Sequence, residues 1–182
     1  DELDKKNALI LNNIGSCYMD QGLLTKAIEY YDKVIKYNKK YPGGYYNKGR
    51  AYFLLKDYNE AIKFLTISME MQPSHYWGPF FRGQCYYHIG EYQKALKDYS
   101  LAINLAENPY DALLYRADVH FWILNDFEEA IEGYNAALEI DSMSYVARNN
   151  LGFINLEREE WDEAVKMFGD LIKKHPIESP AH

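Results

Sequence analysis

Small and large apolar positions alternate along this chain with a period of 34 residues. Gly15, Gly49, Gly83 and Gly152 recur in one slot, which Ala117 takes in the remaining copy. Twelve residues beyond each Gly stands Ala27, Ala61, Ala95 or Ala164, while Ala130 follows Ala117 by thirteen. Self-similarity at such a period marks stacked helical hairpins, each packing mainly on its neighbours. The five copies are set at residues 8–41, 42–75, 76–109, 110–144 and 145–178, as one domain over 1–182. Each holds two helical stretches, A then B. In the first copy Ala27, Tyr31 and Val34 fall at i, i+4 and i+7 and make one apolar stripe. In the second, helix A is predicted over Tyr45–Leu55 and helix B over Tyr58–Met71.

Local signals agree with this division. Asp57 with Glu60, and Asp126 with Glu129, have the spacing of N-terminal caps for helix B. Pro73 and Pro176 follow helix B, where Pro cannot continue a helix. Pro79 places the start of helix A of the third copy close to it. The extra residue of the fourth copy lies within Ile123 to Asp126 and predicts a longer turn. Gly at the eighth slot and Ala at the twentieth let helices A and B approach closely. A larger side chain there would overpack the hairpin at a cost of roughly 1–3 kcal/mol. Bulky residues fill the space around them: Tyr18, Tyr52 and Tyr86, then His120 and Asn155, at the eleventh slot; Leu24, Tyr58, Tyr92, Phe127 and Trp161 at the seventeenth; Tyr31, Leu65, Tyr99, Tyr134 and Phe168 at the twenty-fourth.

These residues resemble the tetratricopeptide repeat (TPR) family. The first copy carries its pattern as Leu11, Ile14, Gly15, Tyr18, Ala27 and Tyr31, with Lys39 where Pro would stand; the fifth keeps Leu151, Gly152, Ala164, Phe168 and Pro176. The resemblance implies an all-α fold, a right-handed superhelical solenoid of stacked antiparallel helix pairs, with helix A lining a concave groove. It also implies which helix A slots face that groove. Those slots hold Asn13 in the first copy, Tyr46, Asn47 and Arg50 in the second, and Trp77, Phe80, Phe81, Gln84 and His88 in the third. The fourth contributes Tyr115, Asp118 and Trp122. Aromatic side chains on a partly polar surface are what binding hot spots use. Phe53, Phe121 and Trp122, near the inner end of helix A, are placed either to meet a ligand or to plug a tightly wound superhelix.

Asn13, Asn47 and Asn150 share a slot and resemble part of the asparagine ladder in the TPR region of O-linked N-acetylglucosamine transferase, interrupted here by Phe81 and Tyr115. An amide row of this kind can hold an extended peptide backbone. TPR domains that grip acidic chaperone tails use a two-carboxylate clamp. At its positions this chain offers Asn12, Ser16, Asn47, Trp77 and Phe81, of which only Asn47 fits, so binding by that mode is not expected. Arg50, with Lys48 near it in sequence, is placed to meet an acidic group on a ligand or to remain a solvated charge. His88 and Asp118 occupy facing slots of adjacent copies, the arrangement of a pH-sensitive pair.

The net charge of −7 hides an asymmetry: residues 1–75 carry 11 Lys and Arg against 9 Asp and Glu, and residues 76–182 carry 9 against 18. The dense basic patch of a nucleic-acid groove is missing. No apolar run approaches the roughly 20 residues that span a bilayer, and a soluble, cytoplasmic setting is favoured although no residue fixes the compartment. The start at Asp1 without Met reads as a processed or excised segment. Cys17 and Cys85 share a slot two repeats apart, beyond disulfide reach, and read as buried small apolar residues. The five His are scattered, and no Cys pair has zinc spacing. No nucleophile, base and oxyanion donors converge in the repeat frame. The expectation is a non-catalytic module without metal or cofactor, binding a peptide or protein segment. The alternative is an assembly element. After helix B of the fifth copy only Ile177 to His182 remain, so Val165, Phe168, Leu171 and Ile172 would present an apolar edge for self-association or for more repeats.

Overall fold

The computed structural model describes the backbone of residues 2–174 and the side chains of residues 6–173. Among the described residues ten α-helices follow one another, with no strand: α1 (Glu2–Asp20), α2 (Leu24–Tyr37), α3 (Pro42–Leu54), α4 (Tyr58–Met71), α5 (Trp77–His88), α6 (Tyr92–Leu105), α7 (Tyr110–Asp118), α8 (Phe127–Ile140), α9 (Tyr145–Glu157) and α10 (Trp161–Lys174). A π-helical turn, Val119–Leu124, continues α7. The expected pairs are therefore present. Helix α3 starts three residues earlier than predicted, because Pro42 occupies its first turn, where a missing N–H costs nothing. Pro79 lies inside the first turn of α5 for the same reason. Pro176 falls outside the described residues.

The chain forms two compact units, residues 1–106 and 107–182. In the first, α1 pairs with α2, α3 with α4 and α5 with α6; α2 packs on α3 and α4 on α5, and the first helices α1, α3 and α5 adjoin in sequence. In the second, α7 pairs with α8 and α9 with α10, while α8 packs on α9. The core of every pair follows the small–large rule. Ala27, Ala61, Ala95, Ala130 and Ala164 are fully buried, as are Tyr31, Leu65, Tyr99 and Tyr134. A Cβ on Gly15 would meet the Tyr31 ring at 2.6 Å, one on Gly49 would meet Leu65 at 2.8 Å, and one on Gly83 would meet the Tyr99 ring at 2.9 Å.

The fourth copy reverses this pairing. Ala117 supplies the methyl group, and the residue facing it on α8 is Gly133, where a Cβ would come within 2.8 Å of the Ala117 Cβ. Its extra residue is also accommodated differently from expectation. The turn between helices A and B is not lengthened. In the other four copies the helix B cap donates its N–H to the carbonyl five residues back, as from Asp57 to Tyr52 at 3.0 Å or from Glu160 to Asn155 at 2.8 Å. In the fourth, Asp126 donates six residues back, to His120 at 2.9 Å. The insertion thus widens the last turn of helix A into a π turn, and Asn125 then closes it in the left-handed region, φ 52°. Gly22, Lys56, Gly90 and Glu159 hold the same left-handed position in the other copies.

Two further expectations change. Asp57 caps α4 by accepting from the Glu60 N–H at 3.3 Å, but Asp126 makes no such bond to α8. Its carboxylate instead lies 3.1 Å from His120 Nδ1, across the π turn. Cys85 is buried against Ala61 and Leu65, and burial pushes its thiol up to about 12. Cys17, in the same slot, is exposed. The side of α1 that carries it has no preceding helix pair against it among the described residues.

Candidate functional site: an aromatic face with an open guanidinium

Helices α3 and α5 present one helix face side by side, and the recurring slots of that face carry rings. Trp77 packs on Phe81 (centroids 5.9 Å apart), Phe81 on Phe53 (5.5 Å), and Phe53 on His88 (6.1 Å). His88 in turn stacks flat on Tyr58 at 4.7 Å. Tyr46 joins from α3, 6.2 Å from Phe81 and edge-on to His75 at 4.8 Å. These contacts link α3, α4, α5 and the loop before α5 through aromatic edges and faces, geometries that add about 0.5–1.5 kcal/mol per pair beyond area burial. The rings are not spent on the core alone: Trp77 is 40% exposed, and Phe81, Phe53 and Tyr46 are half-buried. Phe80, by contrast, is buried behind them, 5.5 Å from both Trp77 and Phe81, as a support for the two.

Arg50 lies within this face. Its guanidinium carbon is 5.3 Å from the Phe81 ring centroid and 5.7 Å from that of Tyr46. Lys48, two residues earlier, points elsewhere. Its ammonium is paired with Asp32 of α2 and lies 4.0 Å from the Phe64 ring centroid. Burial raises the Tyr46 phenol and lowers the His75 imidazole, both by desolvation. Both rings are therefore neutral partners at physiological pH.

The polar residues divide. Asn47 Nδ2 donates to the side-chain Oδ1 of Asn12 at 2.9 Å and so ties α3 to α1. Gln84 is buried on α5 and Asn13 is exposed on α1. Sequence reasoning missed two members of the face, His75 and Tyr58. His75 lies outside the helix A slots, and Tyr58 reads as a hairpin filler; only its stacking on His88 brings it to this surface.

The second unit holds the other three expected residues. Tyr115 and Trp122 are 42% and 54% exposed. Trp122 leans on Phe121, 4.3 Å away, and on Phe153 at 6.0 Å, while Phe121 is buried. Asp118 is engaged internally. It accepts from the Tyr134 hydroxyl at 2.6 Å and from Asn150 Nδ2 at 2.9 Å, and Asn150 Nδ2 also reaches the Tyr134 oxygen at 3.0 Å. Desolvation raises the Asp118 carboxyl above its ordinary value, against the opposing pull of those two hydrogen bonds. Asn150 thus binds its neighbouring hairpin. Among the described residues no three His, Cys, Asp or Glu gather to hold a metal ion, and no helix is long and apolar enough to cross a membrane.

Known proteins of the same build sharpen the picture. The crystal structure of MamA superposes with a TM-score of 0.82 at 25% identity, covering 89% of this chain and 94% of that one. YrrB, a TPR protein with an unusual peptide-binding site, gives 0.76 at 21% identity over 97% and 91% of the two chains. The first TPR domain of Spaghetti (RPAP3), bound to the HSP90 peptide SRMEEVD, gives 0.63 at 24% identity over 65% of this chain and 94% of that one. No curated protein matches the sequence. Tetratricopeptide repeat family models match residues 7–74, 80–109, 111–141 and 150–176. With paired helices, small residues at each crossing and matches along almost the whole length, the chain belongs to the tetratricopeptide repeat family.

Proposed function

We propose that this chain is a non-catalytic interaction module that docks a peptide or protein segment on the ring-lined face of α3 and α5. The observation that carries this reading is the run of rings from Trp77 through Phe81 and Phe53 to His88, left partly open although each has ring neighbours. A solvated helix face would carry polar residues in those slots. Trp77, Phe81 and Tyr46 serve as anchors, Phe80 backs them, and Asn47, Arg50 and Gln84 border them. Tyr115 and Trp122 offer a second aromatic surface in the other unit. Support comes from the fold as well, since both YrrB and the RPAP3 domain are TPR proteins with peptide sites. The test is affinity capture from cell lysate with wild type and with the Trp77→Ala/Phe81→Ala variant, read by mass spectrometry. A partner lost only with the variant supports the reading. Equal retention by a folded variant rejects it.

A second reading rests on α10. Val165 and Ile172 are 71% and 61% exposed on this helix, and Trp161 is exposed at its start. Such an apolar edge suits contact with a further helix pair or a second copy. Phe168 is half-buried and Leu171 is buried, so both belong to the hairpin instead of that edge. Ile177 to His182, which follow, lie outside the described residues. Light scattering across concentration tests this reading: a strict monomer at high concentration counts against self-association.

A further inference from the structure

We propose that Arg50 is a carboxylate-recognition site, and that the segment docked on this face carries an Asp or Glu side chain next to an aromatic or large aliphatic residue. The inference rests on the docking reading above and names the chemistry of its ligand. Among the described residues no ion pair and no hydrogen bond holds Arg50; it lies against the rings of Tyr46 and Phe81, and its charge also reaches the Tyr31 phenol. The chain's other cations near helix crossings are treated differently. Arg82 is held bidentate by Asp98, at 2.7 and 2.8 Å, and also donates to Thr66 at 3.0 Å. Lys48 is held by Asp32. Both tie one helix to another. Arg50 has no such tie; it ends beside the rings of Tyr46 and Phe81 with no carboxylate paired to it among the described residues.

A guanidinium presents a planar fork that matches a carboxylate with two parallel bonds, and charge-assisted bonds are roughly twice as strong as neutral ones. A backbone carbonyl would satisfy the fork only in part. The rings on either side exclude water from the pair and offer apolar area to the residue beside the acid, which is how a rim charge and an anchor act together. Charge balance agrees. Residues 1–106 carry 14 Lys and Arg against 11 Asp and Glu, whereas residues 107–182 carry 6 against 16. The unit with the ring face is the one an acidic segment can approach without repulsion. A free chain terminus is the weaker match. Gripping one takes several donors in a set pattern, and at the two-carboxylate clamp positions this chain offers Asn12, Ser16, Asn47, Trp77 and Phe81, of which only Asn47 fits.

The probe is a random peptide library displayed with its C-terminus fused to the carrier, so that every acid in it is a side chain. Selection on the full chain is followed by synthesis of the enriched peptides with amidated ends and by anisotropy titration. The expected peptides share Asp or Glu beside an aromatic or large aliphatic residue. Arg50→Glu weakens them tenfold or more. Exchanging the peptide's acid for its amide weakens wild type by a similar factor but leaves Arg50→Ala unchanged, and a Lys in place of the acid restores binding to Arg50→Glu. Peptides that depend on Phe81 but bind Arg50→Glu as well as wild type overturn the carboxylate site and leave the docking face standing. Peptides indifferent to both Phe81→Ala and Arg50→Glu, or no enrichment at all, overturn the face and this inference with it. Melting curves of each variant confirm that the chain is folded.

Discussion

The two units are built from one repeat, yet the fourth copy, in the second unit, solves the packing problem of the other four in the opposite way. In the first, Gly15, Gly49 and Gly83 on helix A leave room for Tyr31, Leu65 and Tyr99 on helix B. In the second, Gly152 does the same for Phe168, but in the fourth copy Ala117 stands on helix A and the room comes from Gly133 on helix B. The first unit keeps strict register and gathers its rings on one open face. The second absorbs an extra residue in a π turn, holds a half-buried carboxylate between Tyr134 and Asn150, and carries most of the negative charge. What is common to both is a close crossing at a residue with no room for a larger side chain; which helix supplies the small residue is free to change. The second lesson concerns polar residues. Asn47 and Asn150 occupy equivalent slots, and each spends its amide on the preceding hairpin, one on Asn12 and the other on Asp118.

Overpacking is the strongest way to break this comparison. Gly83→Ala drives a methyl group into the buried Tyr99 ring and is expected to cost about 2–3 kcal/mol, measured by urea unfolding. Gly133→Ala should cost a similar amount, because its Cβ meets Ala117. The double variant Ala117→Gly/Gly133→Ala moves the single methyl group from α7 to α8 and should recover most of the loss. Additive losses would show that the two sites do not share one space.

The period made the helix pairs, the core Ala and Gly positions and the ring slots legible from residues alone. What stayed hidden depends on contacts between distant positions. Nothing local to Ala117 says that its missing space is supplied by Gly133, sixteen residues on. The sequence shows that the fourth copy has an extra residue, but whether a turn or a helix takes it up depends on which carbonyl the Asp126 N–H reaches. Cys17 and Cys85 look equivalent until one sees that Cys85 is buried against Ala61 and Leu65 of the preceding hairpin, whereas Cys17 is exposed. Arg50 and Lys48 look alike as neighbouring cations until Asp32 claims one of them.

The polar cluster of the second unit gives the next largest effect. Asp118→Ala removes the acceptor for the Tyr134 hydroxyl and the Asn150 amide and should cost about 1–2 kcal/mol. Asp118→Asn keeps a carbonyl oxygen for both donors and should stay within about 1 kcal/mol of wild type at neutral pH. The pH dependence follows from the raised carboxyl. The folded state holds this proton more tightly than the unfolded chain, so the contribution is fully present below the ordinary carboxyl value of 3.8. It is lost as pH rises through the higher folded value. The Asn variant should lack that loss; an unchanged slope between acidic and neutral pH would contradict the assignment.

The smallest effects lie in the left-handed turns. Lys56 (φ 63°) and Glu159 (φ 60°) hold the position that Gly22 and Gly90 fill without strain. Lys56→Gly and Glu159→Gly should each stabilise the chain, by about 0.5 kcal/mol, since the strain of a left-handed side chain is only partly offset by the greater freedom of Gly in the unfolded chain. Thermal melts of the single variants measure this directly, and a fall in Tm would show that those side chains are held by more than the turn.

The central claim is that binding belongs to the ring face of α3 and α5. Hydrogen–deuterium exchange of the full chain, with and without its captured partner, tests it most directly. New protection over Pro42–Leu54 and Trp77–His88, with Trp161–Lys174 unchanged, is the predicted result. Protection confined to Trp161–Lys174 would contradict it and assign the contact to the exposed edge of α10.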